Sequence, residues 1–311
     1  MHPDDLKPAP LWANLAATVT RRMPRAKYRL IERLCRGSNE RFEARMAKQL
    51  GGYTFDCSLR DQVARDVFFA GCFAHQEIAF ARSVLRTGMT FVDVGANWGL
   101  FTLVAASLVT NSGRVISIEP DPRIFSKLKA NVQRNSLGQV RLFDLAIADC
   151  DSQLVLAAHD EAGENWGISR LVDRYSAAPV TFRVASRRLD PLLDEAGIQT
   201  VDLLKIDVEG AETLALAGMQ QGLRDARYRR ILLELHPQQL AERGLTNRDV
   251  INLLLQNRYK GYALDNSEQA GRKAYYHPWL HFSEFLLPLE EGLKNRQPHT
   301  VWLCPQEPDL I

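Results

Sequence analysis

The chain has 311 residues, 46% hydrophobic and 24% charged, with 39 Lys and Arg against 37 Asp and Glu for a formal net charge of +2. This is the composition of an ordinary soluble globular protein, one large domain with an extension or two small ones. It excludes long-range disorder and collagen-like or low-complexity sequence, and the near-zero net charge excludes wholesale coating of DNA or RNA.

The five cysteines, Cys35, Cys57, Cys72, Cys150 and Cys304, are scattered and form no CxxC. They argue against a disulfide framework or structural zinc and for a reducing, cytoplasmic compartment. The longest apolar run, residues 99–109, is too short to span a bilayer. Asp4 and Asp5 precede the apolar stretch 10–19 and Arg21-Arg22 follow it, the reverse of a secretory signal.

Residues 21–48 hold ten basic residues against three acids, a surplus of seven that leaves the remaining chain net negative. Leu30, Ile31, Leu34 and Cys35 recur at helical spacing, which predicts one or two amphipathic helices broken near Gly37-Ser38. The segment reads as a helical cap with solvated charges, or as a surface for an acidic substrate, a partner or an anionic membrane face. Gly51-Gly52 marks a break, so residues 1–50 are expected to form a basic helical extension and 51–311 the main domain.

After the break, 53–60 and 67–69 read as strands of a hairpin, and 75–86 as a helix. Strand 90–94, helix 98–109, strand 114–119, helix 122–135 and strand 140–147 follow. This β-α-β-α-β order implies parallel strands with right-handed crossovers, hence a doubly wound α/β sheet. Segments 153–158 and 180–184 read as strands around a loop at 163–169, an insertion of about 150–185 on the active face. Helix 189–196, strand 201–207, helix 211–219, strand 230–235, helix 247–257 and strand 261–264 continue the alternation. An irregular aromatic insertion, 266–297, precedes a last strand at 299–304, giving a mostly parallel seven-stranded sheet.

The turn after the first parallel strand, Phe91-Val-Asp-Val-Gly-Ala-Asn-Trp-Gly99, is the most informative segment. In an open α/β sheet, ligands bind outside the carboxyl ends of the strands, and a helix N-terminus there favours an anionic group. Gly95 permits close approach of the main chain. A dinucleotide fingerprint would read GxGxxG, but Asn97 takes the middle position, and the Asp93 carboxylate would repel a pyrophosphate. Asp93 suits a ligand with a cationic group beside its own carboxylate, such as S-adenosylmethionine. Glu119, twenty residues after Gly99, is placed to accept hydrogen bonds from both ribose hydroxyls, and Asp144 is a candidate for the adenine amino group. The missing fingerprint argues against a dehydrogenase.

Asp-Val-Gly-Ala-Asn-Trp-Gly (93–99), Ile-Glu-Pro-Asp-Pro (118–122), Leu-Leu-Lys-Ile-Asp-Val-Glu-Gly-Ala-Glu (203–212) and Leu-Glu-Leu-His (233–236) together resemble the motifs of FkbM-type S-adenosylmethionine-dependent methyltransferases. The resemblance covers about residues 71–265. It implies a class I, Rossmann-like methyltransferase fold and methyl transfer, usually to a hydroxyl oxygen of a sugar, glycan or secondary metabolite.

A hydroxyl nucleophile needs a proton acceptor. Lys205, Asp207 and Glu209 alternate along one strand end, and Glu234 and His236 along the next, so the acceptor is expected among Asp207, Glu209, Glu234 and His236. His236 is the first candidate for the base because its ordinary pKa lies near neutrality; Asp207 or Glu234 would orient it or act directly. Lys205 reads as an ion-pair partner, and Glu212 as a charge complement at a helix start. The same oxygen-rich set could ligate Mg²⁺, although the leading reading is metal-free. The aromatic residues at 275–285 and the insertion around Trp166 are placed to cover an acceptor, to act as a structural lid or to meet a second copy of the chain. The competing functions are an RNA or protein methyltransferase, kept open by the basic N-terminal segment, and a non-catalytic S-adenosylmethionine-binding module.

Overall fold

The structure, a computed structural model, describes residues 6–158, 169–172 and 180–310. Trp166 and all of the expected loop at 163–169 except Ser169 lie outside the described residues. Helices α1 (Leu11–Thr20) and α2 (Lys27–Cys35), strand β1 (Arg41–Arg45), a 3₁₀ turn (Lys48–Leu50), strand β2 (Thr54–Ser58), and helices α3 (Gln62–Phe69) and α4 (His75–Val84) come first. Then β3 (Thr90–Val94), α5 (Leu100–Val109), β4 (Arg114–Ile118), α6 (Pro122–Arg134) and β5 (Val140–Phe143) alternate. The strands β6 (Ala146–Ile147), β7 (Ser152–Ala158), β8 (Ser169–Val172) and β9 (Val180–Arg187) form a separate sheet in the order β6-β9-β7-β8.

Alternation resumes with α7 (Leu189–Glu195), β10 (Leu203–Ile206), α8 (Glu212–Ala217), α9 (Gln220–Arg224), β11 (Arg230–Glu234), α10 (Pro237–Glu242), α11 (Asn247–Gln256) and β12 (Lys260–Leu264). The chain ends through α12 (Glu268–Tyr276), a 3₁₀ turn (Phe282–Phe285), β13 (Leu286–Pro288), α13 (Leu289–Gly292) and β14 (His299–Leu303).

The central sheet runs β13-β12-β14-β11-β10-β3-β4-β5. The pairs from β11 to β5 are parallel, and β14 lies antiparallel between β11 and β12. The strand order reverses at β3, which has β4 on one side and β10 on the other. That is the topological switch point, where loops diverge and a crevice opens at the carboxyl ends. The two strand ends are tied there by Asp207 N–H donating to the Val94 carbonyl at 3.0 Å.

Alternation along β3 feeds two apolar layers. Phe91 packs on one face of the sheet with Val104, Val115 and Leu203, and Val92 and Val94 pack on the other with Ile116, Ile206 and Leu233. Helix α6 follows from local signals: Asp121 caps it by accepting from Arg123 N–H at 2.9 Å, Pro122 takes the first turn, and Ile124, Leu128 and Val132 form its buried stripe.

Several expectations are corrected. The second half of the basic segment is a strand, not a helix: Phe42 and Ala44 alternate inward along β1, which pairs antiparallel with β2. That hairpin crosses residue 50, and Ala13, Ile31 and Phe42 share the layer under Phe91, so residues 6–50 pack against the rest of the domain. Segment 67–69 is helical because Asp61 caps α3 and Ala64, Val67 and Phe68 recur at helical spacing. Residues 140–147 split between two sheets, with β6 leaving β5 to pair with β9. The irregular stretch 265–297 contains α12, α13 and β13, and β13 extends the expected seven strands to eight.

Candidate active site

At the switch point a narrow slot of about 90 Å³ lies between the β3 turn and the second sheet. Gly95, Asn97 and Glu119 form its polar side, and Ile118, Leu145, Ile147, Leu156 and Leu171 form apolar walls. Glu119 ends β4 and is 7% exposed. One carboxylate oxygen accepts from Asn97 N–H and the other from Asp121 N–H, both at 2.9 Å, so each keeps a lone pair for a ligand. Burial raises its pKa to about 7 against those two bonds.

Gly95, Asn97 and Asp207 also line a second cavity of about 400 Å³, within the ~300–1,000 Å³ range of small-molecule sites. Its walls include Gln76, Glu77, Trp98, Phe101, Lys205, Glu234 and His299.

The glycines act differently from the simple expectation. Gly95 has φ +81°, and a Cβ there would sit 1.8 Å from the Asp207 carbonyl oxygen, so its freedom lets the turn close onto the end of β10. Gly99, at φ +101°, lets α5 meet α6, since a Cβ would come within 2.7 Å of Leu128. Asp93 is fully buried and lines neither cavity. It faces α5 instead, accepting from Thr102 Oγ at 2.8 Å beneath the turn, which corrects its expected contact with a ligand cation. Asp144 is exposed just after β5, and its neighbour Leu145 lines the slot in its place.

The four expected catalytic residues do converge. His236 Nε2 lies 3.6 Å from Asp207, 3.5 Å from Glu209 and 3.7 Å from Glu234. Its Nδ1 sits 2.7 Å from Glu212 Oε1. Lys205 Nζ donates to Asp207 Oδ2 at 3.0 Å and lies over the Phe101 ring. Gln239 donates to Glu209 at 3.1 Å, and Gln297 to Glu234 at 2.5 Å. Glu209 adopts φ +48°, a conformation disfavoured for a residue with a Cβ and typical of strained sites.

The electrostatics revise the role of His236. Burial opposes its charge, but the bond to Glu212 and the carboxylates of Asp207, Glu209 and Glu234 outweigh that and raise its pKa to about 10. It is therefore an imidazolium at neutral pH, and its side chain is 1% exposed and lines neither cavity. That charge and its distance from both cavities weigh against His236 as the base that its ordinary pKa suggested.

Burial raises the pKa of Glu234 to about 8, with Asp207 adding repulsion. Burial acts the same way on Asp207, yet Lys205 and His236 overcome it and hold that carboxyl below its ordinary value. Asp207, about a quarter exposed, is the one member of the four that lines both cavities.

Two neighbours, Glu212 and His299, make pairings that the sequence did not reveal. Glu212 does stand in the first turn of α8, as a helix-start charge complement would, but it is fully buried and also pins His236. His299, on β14, contacts Glu77 through Nδ1 and lies 3.4 Å from Glu234 through Nε2. Only the preference of buried acids for a paired base hinted at these pairings. Asp207, Glu209 and His236 each bring one possible ligand atom within 4.8 Å of the others, a separation that a divalent ion could bridge.

Residues 93–264 match the model of the methyltransferase FkbM domain. The chain is 30% identical over 202 residues to the AMB antimetabolite synthetase AmbE of Pseudomonas aeruginosa, a match covering 53% of this chain and 9% of that much longer protein. It is 30% identical over 200 residues to the 31-O-demethyl-FK506 methyltransferase FkbM of Streptomyces tacrolimicus, covering 55% of this chain and 73% of that one. It is 29% identical over 174 residues to the 2-O-methyltransferase NoeI of Sinorhizobium fredii, covering 52% and 70%. The switch-point turn, the second-strand glutamate and the convergent strand ends all lie within the matched span, and the chain belongs to the FkbM-type methyltransferase family.

Proposed function

We propose that this chain transfers the methyl group of S-adenosylmethionine to a hydroxyl oxygen of a sugar, glycan or secondary metabolite. The observation that carries the reading is the slot walled by Glu119, which shares Gly95, Asn97 and Asp207 with a larger cavity edged with acidic side chains. The residues suit the cofactor. Glu119 retains one lone pair on each oxygen for a ribose diol, apolar side chains flank space for a flat base, and Gln76 and Glu77 offer partners to an amino-acid end. One relative is named a 2-O-methyltransferase and another a 31-O-demethyl-FK506 methyltransferase. Asp207, whose carboxyl Lys205 and His236 hold ionised, lines the larger cavity and disfavours a phosphodiester chain there, which favours a small neutral or cationic acceptor over RNA.

Bound there, S-adenosylmethionine supplies an electrophilic methyl group with a neutral thioether as leaving group. Asp207, between the two cavities, is the group that receives the proton of the acceptor hydroxyl. Lys205 and His236 fix its orientation, and Glu212 holds His236 in place. Glu209 and Glu234 flank the acceptor.

Titration with S-adenosylhomocysteine tests the slot. Glu119→Ala removes two charge-assisted bonds to the diol and is expected to weaken affinity about 10²-fold. Because the diol binds the ionised carboxylate, a proton must leave first below about pH 7. Wild-type affinity is then expected to fall toward tenfold per pH unit on acidification, a dependence that Glu119→Gln abolishes. A slot that takes NAD and not S-adenosylhomocysteine overturns the proposal.

The positive groups of Lys205 and His236 already face the carboxylates, which supports the metal-free reading. Turnover is expected to survive exhaustive chelation. A loss restored by Mg²⁺ would instead assign Asp207, Glu209 and His236 to an ion.

A further inference from the structure

Helix α1 inverts the usual arrangement of a surface helix. It turns its small residues Ala13, Ala17 and Thr20 inward and leaves Leu11, Leu15 and Val19 at 76%, 60% and 55% exposure. A helix that only capped the core would bury the large side chains. Among the described residues seven large hydrophobic side chains are exposed, and five of them (Leu11, Trp12, Leu15, Val19 and Tyr28) lie on α1 and α2. Leu11, Leu15 and Val19, spaced by four, form one stripe.

On the turn and helix that follow this stripe stand Arg22, Arg25, Arg29, Arg33 and Arg36, all exposed. Arg29, Arg33 and Arg36 share one face of α2 and its end. None of the five side chains forms a hydrogen bond or ion pair among the described residues. The one acid of α2, Glu32, is taken up by Arg65 at 2.6 Å. The two helices are anchored from below, Thr20 Oγ donating to the Phe69 carbonyl at 2.6 Å and Lys27 Nζ to the Tyr275 carbonyl at 2.5 Å. Both helices are thus fixed to the fold, α1 carrying the exposed apolar stripe and α2 with the turn before it the exposed arginines.

We infer that α1 and α2 form a docking face for an anionic lipid bilayer, with Leu11, Trp12, Leu15 and Val19 entering the interface and the arginines meeting acidic headgroups. Unpaired positive charge beside exposed leucine, valine and tryptophan is the composition of an interfacial helix. A bare apolar patch would equally suit another protein; five arginines with no ion pair among the described residues select a negative surface. The inference is independent of the methyl-transfer reading.

Co-sedimentation of the full chain with vesicles tests it. Binding is expected to phosphatidylcholine vesicles that contain phosphatidylglycerol, to fall as salt rises, and to be weak on phosphatidylcholine alone. The triple variants Leu11→Ser/Leu15→Ser/Val19→Ser and Arg29→Glu/Arg33→Glu/Arg36→Glu are each expected to lower affinity about 100-fold or more, at unchanged melting temperature. These positions are exposed, so neither change disturbs the core. The inference is overturned if the wild-type chain ignores anionic vesicles at low salt, or if both variants bind as well as it does. It is also overturned if the serine variant dissolves a dimer of a chain that never sediments with lipid, or if salt-sensitive RNA binding appears without vesicle binding.

Discussion

Replacement of Asp207 by Asn is expected to lower kcat by about 10²–10⁴-fold, the range of general-base assistance, while S-adenosylhomocysteine affinity changes only a few-fold. The amide keeps the shape of the carboxylate and cannot take a proton. Asp207 carries this expectation because it borders both the slot and the larger cavity. Its neighbours divide the other roles: Lys205 lies 3.0 Å away and His236 is buried as an imidazolium. His236→Asn is expected to act through the carboxylates it orients, with a smaller loss of kcat and a displaced pH profile. Near-normal turnover of the Asp207→Asn enzyme would move proton acceptance to Glu209, the other strand-end carboxylate on the slot. A parallel drop in melting temperature would show instead that the unpaired Lys205 had damaged the fold.

Gly95→Ala is expected to be the most damaging single methyl in the domain. The added carbon would lie 1.8 Å from the Asp207 carbonyl oxygen, and the residue would still have to hold φ +81°. Left-handed strain and the forced separation of the turn from β10 together cost about 2–5 kcal/mol, a fall in melting temperature of roughly 5–15 °C. The same shift moves Asp207, so cofactor affinity and turnover should fall with stability. Gly138→Ala is the matched control: nothing lies within 4 Å of its added carbon, its φ is not in the left-handed region, and its melting temperature is expected to stay within a degree or two of wild type. Equal melting temperatures for the two variants would mean that the contact between Gly95 and β10 carries no stability.

Much of the site was legible in the chain because its parts are local or follow from connectivity. The turn at 93–99 lies between an apolar strand and an apolar helix, Glu119 ends the next strand, and right-handed crossovers bring the ends of β10 and β11 to the same edge as β3. Asp207, Glu209, Glu234 and His236 could therefore be grouped from the sequence, and each of the three carboxylates lies within 4 Å of His236. The basic segment misled for the same reason that the motif succeeded. Charge was its loudest feature, yet the alternation of Phe42 and Ala44 toward the core, matched by β2, decided that β1 is a strand.

The amino-acid order by itself determined the doubly wound sheet, the ligand crevice and the set of acids around it, since periodicity, glycine placement and crossover handedness act along the chain. Only the tertiary structure decided what each group does there. The charge on His236 comes from Glu212, Asp207, Glu209 and Glu234, brought in from separate elements, and Asp93 turns into α5 because Thr102 waits beneath the turn. A proton's affinity and a carboxylate's accessibility are sums over neighbours in space, and those neighbours are assembled by packing.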